Sequence, residues 1–206
     1  MKKSTLSFIA LILFSANAFA QQEVKFGPKV GVNFANFNGK DADVYKSLIG
    51  FHIGGFAEIK FNEHFAIQPE ILYSTLGAKQ EISWAELTSK KDYLNIPVLA
   101  KYYITPKFSI EAGPYVSFLL ASTTEGTVQN VAVKNDDKEY SNTIDFGLGF
   151  GTSFNLDNGF FVGARYNLGL NKIDKDGDRI INGVKTNYEA LDIKNSVIQI
   201  GVGYKF

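Results

Sequence analysis

Hydrophobic and polar residues alternate with a period of two along almost the whole chain after Val24. At the C-terminal end Ile198, Ile200, Val202, Tyr204 and Phe206 alternate with Val197, Gln199, Gly201, Gly203 and Lys205. A β-strand gives this pattern because successive side chains point to opposite faces. Seven earlier segments repeat it, beginning at Val24, Ile49, Phe65, Leu94, Phe108, Ile144 and Phe160. Three connections, 62–64, 105–107 and 156–159, are tight and rich in turn-forming residues. Four others, 38–48, 77–92, 121–142 and 171–191, are long and polar. Eight strands joined alternately by short turns and long loops predict an all-β, antiparallel, up-and-down barrel. Both chain ends fall on the short-turn side.

Alternation alone does not say which parity faces inward. A soluble barrel turns its apolar parity in, around a ligand. Composition predicts the reverse here. Of 19 glycines, most sit on the polar parity, whereas the 18 phenylalanines lie mainly on the apolar one. An eight-stranded barrel has little interior room, so small residues are expected inside and rows of Phe or Tyr outside. Position agrees: Phe26, Phe61, Phe65, Tyr102, Phe108, Phe154, Phe160 and Phe206 all fall at short-turn ends of strands, on the apolar parity. They predict an aromatic girdle at a membrane interface, on the periplasmic side. Phe51, Tyr73, Leu94, Phe118 and Phe146 predict a looser second ring. About ten residues between the rings, at ~3.3 Å rise and a tilt near ~40°, span roughly 25 Å, the height of an outer-membrane apolar band. The chain is therefore expected to be a transmembrane barrel, a multi-pass protein of the outer membrane with periplasmic termini. Four prolines, Pro28, Pro69, Pro97 and Pro114, fall inside the strands, where bulges or local ladder breaks are expected.

The start of the chain fits export. Lys2 and Lys3 precede the apolar stretch Leu6–Phe14, and Ala18-Phe19-Ala20 ends it with small residues at the positions a signal peptidase reads. Residues 1–20 are read as a cleaved signal peptide and 21–206 as the barrel domain. The apolar stretch is shorter than a spanning helix needs. With no Cys, there is no disulfide framework and no thiolate metal site. Acids and bases balance at 21 each, which gives no electrostatic reason to bind nucleic acid. The leader contributes two of the lysines, so the mature chain carries two more acids than bases.

Four stretches carry a family resemblance. Phe26-Gly27-Pro28-Lys29-Val30-Gly31-Val32-Asn33-Phe34 is one; Ile67-Gln68-Pro69-Glu70-Ile71-Leu72-Tyr73 is another. Tyr93-Leu94-Asn95-Ile96-Pro97-Val98 and Ala112-Gly113-Pro114-Tyr115 are the others. In these the chain resembles the PorT-like outer-membrane β-barrel porins of Gram-negative bacteria across essentially its mature length. The resemblance implies a barrel and makes the strand prolines family features; it is nearly silent on function. The last strand, with Ile198, Ile200, Val202, Tyr204 and Phe206, resembles the signal by which barrel-assembly machinery recognises its clients.

The inward parity also carries charge. Lys29, Glu58, Glu70, Lys101, Glu111, Asp145 and Arg165 are expected to form an interior polar network, because a buried charge must be paired. Such a network reads as a plug; a narrow path for ions or small solutes is the alternative. His52, inward, could serve a lipid-modifying enzyme only with partners such as Asp145 or Ser117. The run Asp174–Asp178 has acidic spacing reminiscent of a calcium loop, but Arg179 and Lys185 occupy the positions that need Gly and Glu. The segment Ile82–Leu87, with the single Trp84, is a candidate contact patch or a rim extension. The reading that results is a monomeric, non-enzymatic barrel without cofactor or metal. Its role is structural or in surface interaction, through an unidentified ligand of the long loops. Its other partners are outer-membrane lipid and, during biogenesis, assembly machinery and periplasmic chaperones.

Overall fold

The computed structural model describes residues 23–83, 85–129, 131–181 and 184–206. The leader and Trp84 lie outside them. Eleven strands form: β1 (Glu23–Asn38), β2 (Tyr45–Lys60), β3 (Phe65–Ile82), β4 (Ala85–Tyr103), β5 (Phe108–Val128), β6 (Val131–Asp136), β7 (Ile144–Asn155), β8 (Phe160–Gly169), β9 (Gly177–Ile181), β10 (Val184–Tyr188) and β11 (Lys194–Tyr204). Eight close a ring of antiparallel pairings, β1-β2-β3-β4-β5-β7-β8-β11 and back to β1. Closure leaves no sheet edge within the ring, as a strand structure in lipid requires.

The short turns close the same way at all three sites. Phe61, Ile104 and Leu156 donate their N–H to the carbonyls of Phe65, Phe108 and Phe160, at 2.9, 2.9 and 2.7 Å. In the first turn Asn62 Oδ1 also accepts from the amides of His64 and Phe65, both at 2.9 Å, the local bonding that makes Asn a turn residue.

The long connections are different from the sequence reading. Segments 77–92 and 121–142 are not loops but mostly strand: β3 and β4 run to Ile82 and Ala85, and β5 continues to Val128 and pairs with β6. β9 and β10 make a separate hairpin in the last connection. β4 has 19 residues and β5 has 21, about twice the ~9–11 that cross a bilayer. The surplus stands above the membrane as a crown of hairpins. There the buried inward positions are small or polar, as at Ala78, Ala85, Lys91 and Ser122, so the apolar alternation that marks a strand is lost. Beneath the crown, Phe37, Ala42, Ala78, Ile173 and Ile193 pack into a small apolar cluster that caps the bore.

The strand prolines do not produce bulges. Register shifts occur at Ser47/His52 and Asp92/Tyr93, neither of them at a proline. At Pro69, Pro97 and Pro114 the ladder skips two pairs and resumes in unchanged register. The reason is local: proline has no N–H to give, so one bond is missing while the strand's extended φ is kept.

Outside, the apolar parity is exposed from Phe26, at 60%, round to Ile198, at 50%. Inside, the expectation of small residues needs correcting. Phe56, Tyr93, Tyr103, Tyr115 and Phe161 all point inward and are buried. Glycines make their room. A Cβ on Gly203 would lie 2.4 Å from the Phe161 ring, and one on Gly147 would lie 2.7 Å from the Tyr115 ring. The bore is packed large against absent, not small against small.

Candidate functional site

The interior is an ordered column of polar side chains. Arg165 on β8 sits at its centre. Its Nη1 and Nη2 donate to the two carboxylate oxygens of Glu70 on β3, at 2.9 and 2.8 Å, and its Nε donates to Glu111 on β5 at 2.9 Å. The bidentate fork is the strongest geometry an arginine–carboxylate pair can take. Lys29 on β1 adds a second partner to Glu70 at 3.0 Å, and Gln68 is a third, donating to the same carboxylate at 2.7 Å. All of these side chains are buried.

Register explains how Arg165 reaches Glu111. Lys101 pairs with Glu111, Glu111 with Gly151, and Gly151 with Arg165 along one row across four strands. Gly151 has no side chain to stand between the two charges; a Cβ there would lie 3.1 Å from that of Arg165. Toward the short-turn end, Lys101 donates to Gln68 at 2.9 Å and pairs with Glu58 at 3.0 Å and Glu111 at 3.9 Å. Glu58 also accepts from Lys205 at 2.9 Å and from the Tyr103 hydroxyl at 2.8 Å.

Six of the seven sequence-derived network residues, Lys29, Glu58, Glu70, Lys101, Glu111 and Arg165, thus lie in one linked cluster. Asp145 does not. It is buried nearer the crown, where Asn195 donates to it at 2.9 Å, and it has no basic partner among the described residues. Lys205, Gln68 and Tyr103 complete the cluster and were missing from the candidate set. Lys205 was legible as an inward charge; Gln68 and Tyr103 carry no charge to mark them.

Above the cluster, Asn33 spends its amide on the carbonyls of Phe51 and Thr75, at 2.9 and 3.1 Å. Its Oδ1 therefore accepts, from His52 Nδ1 at 2.8 Å and Gln199 at 3.0 Å. This places the neutral histidine's proton on Nδ1. Neither Asp145 nor Ser117 bonds to His52; Ser117 donates to Asn95 at 3.0 Å. In the last connection, Asp174 and Asp176 accept the backbone amides of Leu191 and Ala190, at 2.9 and 2.6 Å, so these acids fasten the loop. No group of three metal-ligating residues occurs among the described residues.

A cavity lies at each end of the column. The crown-side one, about 230 Å³, includes Tyr45, Lys91, Tyr140 and Asp174 in its wall. The opposite one, about 270 Å³, is bounded by Glu58, Lys60, Tyr103 and Lys205. On the crown itself, Lys46–Glu81 and Lys90–Glu125 pair across strands. Each lysine holds its glutamate below the ordinary carboxylate range.

The girdle residues lie at the short-turn ends of the strands. Phe65 pairs with Tyr102 and Phe108 with Phe154. Phe26, Phe206, Tyr204 and Phe160 form a run of ring contacts at 5.8, 5.1 and 5.0 Å across the closing seam. In the last strand, Ile198, Ile200 and Val202 face outward with Phe206.

Solved structures share this architecture. Ail, the attachment invasion locus protein of Yersinia pestis, in complex with the heparin analogue sucrose octasulfate, superposes with a TM-score of 0.53 at 13% identity. The match covers 89% of this chain and 99% of that one. Neisserial surface protein A gives 0.52 at 15% identity, with the same coverage. Comparison with curated proteins finds no match. The family model described as "Outer membrane protein beta-barrel domain" matches residues 19–175, and the closed ring with its apolar exterior is what that family builds in lipid. The chain belongs to this family and is an outer-membrane β-barrel protein.

Proposed function

We propose that the protein is a closed, non-enzymatic, monomeric barrel that holds a crown of hairpins at the cell surface for contact with an external partner. The observation that carries this is the charge cluster across the bore. Arg165, Glu70, Glu111, Lys29, Lys101 and Glu58 tie β1, β2, β3, β4, β5 and β8 together between the two end cavities. An eight-stranded barrel has no lumen to spare around such a cluster. On this reading the leader 1–20 is removed on export. The short turns and both ends face the periplasm, lipid contacts the apolar belt, and β11 carries the assembly signal. Against an enzyme stands the partner of His52, the amide of Asn33, with no acid or hydroxyl bonded to it among the described residues. Purified protein in planar bilayers tests the plug: it is expected to give no steady current steps, and uniform single-channel steps would overturn the reading.

A further inference from the structure

The membrane-facing surface is not evenly covered. Along β2 the outward row reads Ile49, Phe51, Ile53, Gly55, Ala57, Ile59 and Phe61, so two small residues interrupt a large apolar series. Across the ladder two prolines, Pro28 and Pro69, add short side chains beside them, and Phe26 and Ile71 stand large on the flanks. Gly55 stands opposite Pro28 on β1 and Ile71 on β3. Ala57 stands opposite Phe26 on β1. In the register of that ladder it also faces Pro69. The result is a hollow of about 690 Å³, floored by Gly55, Ala57, Pro28 and Pro69 and walled by Phe26 and Ile71, with Ile96 and Phe206 beyond.

Barrel packing does not demand this hollow. On most inward glycines a Cβ would meet a neighbouring strand's carbonyl oxygen well inside contact distance, as at Gly54, 2.0 Å from the Ile71 oxygen. At Gly55 the nearest atom, the Gly27 oxygen, is 3.5 Å away, an ordinary contact. A larger outward side chain would fit there, and the sequence leaves it out. The hollow is continuous with the exposed apolar belt and begins at the girdle, beside Phe26 and Phe206. Its surroundings in the membrane are hydrocarbon, and its wall is almost wholly apolar, since Glu70, which also borders it, turns its carboxylate into the bore toward Lys29 and Arg165. What fits is a flexible apolar chain.

We infer that this hollow is a specific seat for one acyl chain of a phospholipid in the leaflet on the short-turn side. Assigning that leaflet to the periplasmic side rests on the orientation proposed above; the seat itself does not. A seated chain is held between Phe26 and Ile71 on its two flanks. In hydrocarbon the seat holds a chain by van der Waals contact; filling the floor with a leucine removes the room and those contacts, and about a tenfold loss of retained lipid is expected.

The test is native mass spectrometry of full-length mature protein, refolded into vesicles of palmitoyl-oleoyl phosphatidylethanolamine and then extracted with mild detergent. The wild type is expected to retain one phospholipid. Gly55→Leu and Ala57→Leu are expected to lose it about tenfold, and Val162→Leu, outward on β8, to keep it. Heat-modifiable migration on a gel certifies that each variant is folded, and Gly55→Ala serves as a milder second variant. A lipid-free wild type, equal retention in all variants, or a dimer whose cross-links map to this face would overturn the seat. Thiol labelling of Lys138→Cys on intact cells reports orientation separately; labelling only after permeabilisation would move the chain to the other leaflet and leave the seat standing.

Discussion

Glu70 accepts hydrogen bonds from Lys29, Gln68 and Arg165 within a fully enclosed bore, and Asp145, equally enclosed, has Asn195 and no base among the described residues. Burying an ion is costly, and only partners repay that cost. The two acids should therefore respond in opposite ways to loss of charge. Glu70→Gln leaves Arg165 and Lys29 with Glu111 as the remaining nearby acid, and is expected to destabilise the folded barrel by about 3–5 kcal/mol. Asp145→Asn keeps the shape and removes an unbalanced charge, and is expected to be neutral or stabilising within about 1 kcal/mol. Urea titrations in lipid vesicles, read by heat-modifiable migration, measure both. Equal losses in the two variants would refute the contrast. That these residues face inward was legible from parity alone. Which partner each meets was not, because Arg165 and Glu70 are 95 positions apart and their meeting depends on barrel register.

At the scale of elements, the seam between β1 and β11 closes the ring, and Gly27 sits on it. A Cβ at Gly27 would lie 1.7 Å from the carbonyl oxygen of Tyr204, which backbone cannot yield without parting the strands. Gly27→Ala is expected to cost about 1–3 kcal/mol and to lower the heat-modifiable fraction after refolding. Gly55→Ala, with 3.5 Å of clearance, should match the wild type. If both behave alike, crowding at the seam is not what fixes Gly27. The eight crossing strands were legible because lipid on one side and a packed bore on the other enforce strict alternation. Beyond the rim extension read at Ile82–Leu87, the extensions of β3, β4 and β5, with β6, β9 and β10, were not, because their inward positions are small or polar and the alternation fades. Of the two outcomes expected at the strand prolines, the local ladder break occurs and the bulge does not: proline withholds its donor without shifting register.

Over the whole molecule, the ring of pairings that spans the membrane is complete without the crown. β6 adds to β5 from outside, and β9 and β10 bond to each other. The two parts also differ in what stabilises them. The ring has a closed ladder and buried ion pairs, whereas the crown's ion pairs Lys46–Glu81 and Lys90–Glu125 are largely exposed and screened by salt. Local opening should therefore begin in the crown. Proteinase K applied to vesicle-reconstituted protein is expected to cut within 121–142 and 171–191 while the spanning strands stay protected. The nicked fragments should remain associated and heat-modifiable. The cluster around Ile173 and Ile193 could couple the two parts, since it joins the last connection to β1 and β3. Ile173→Ala separates the possibilities: faster nicking with unchanged urea resistance of the spanning core means that the cluster secures the crown alone. A core that loses heat-modifiability on nicking would show that the crown is part of the barrel's own stability, and the division into a rigid ring and an independently variable surface would fail.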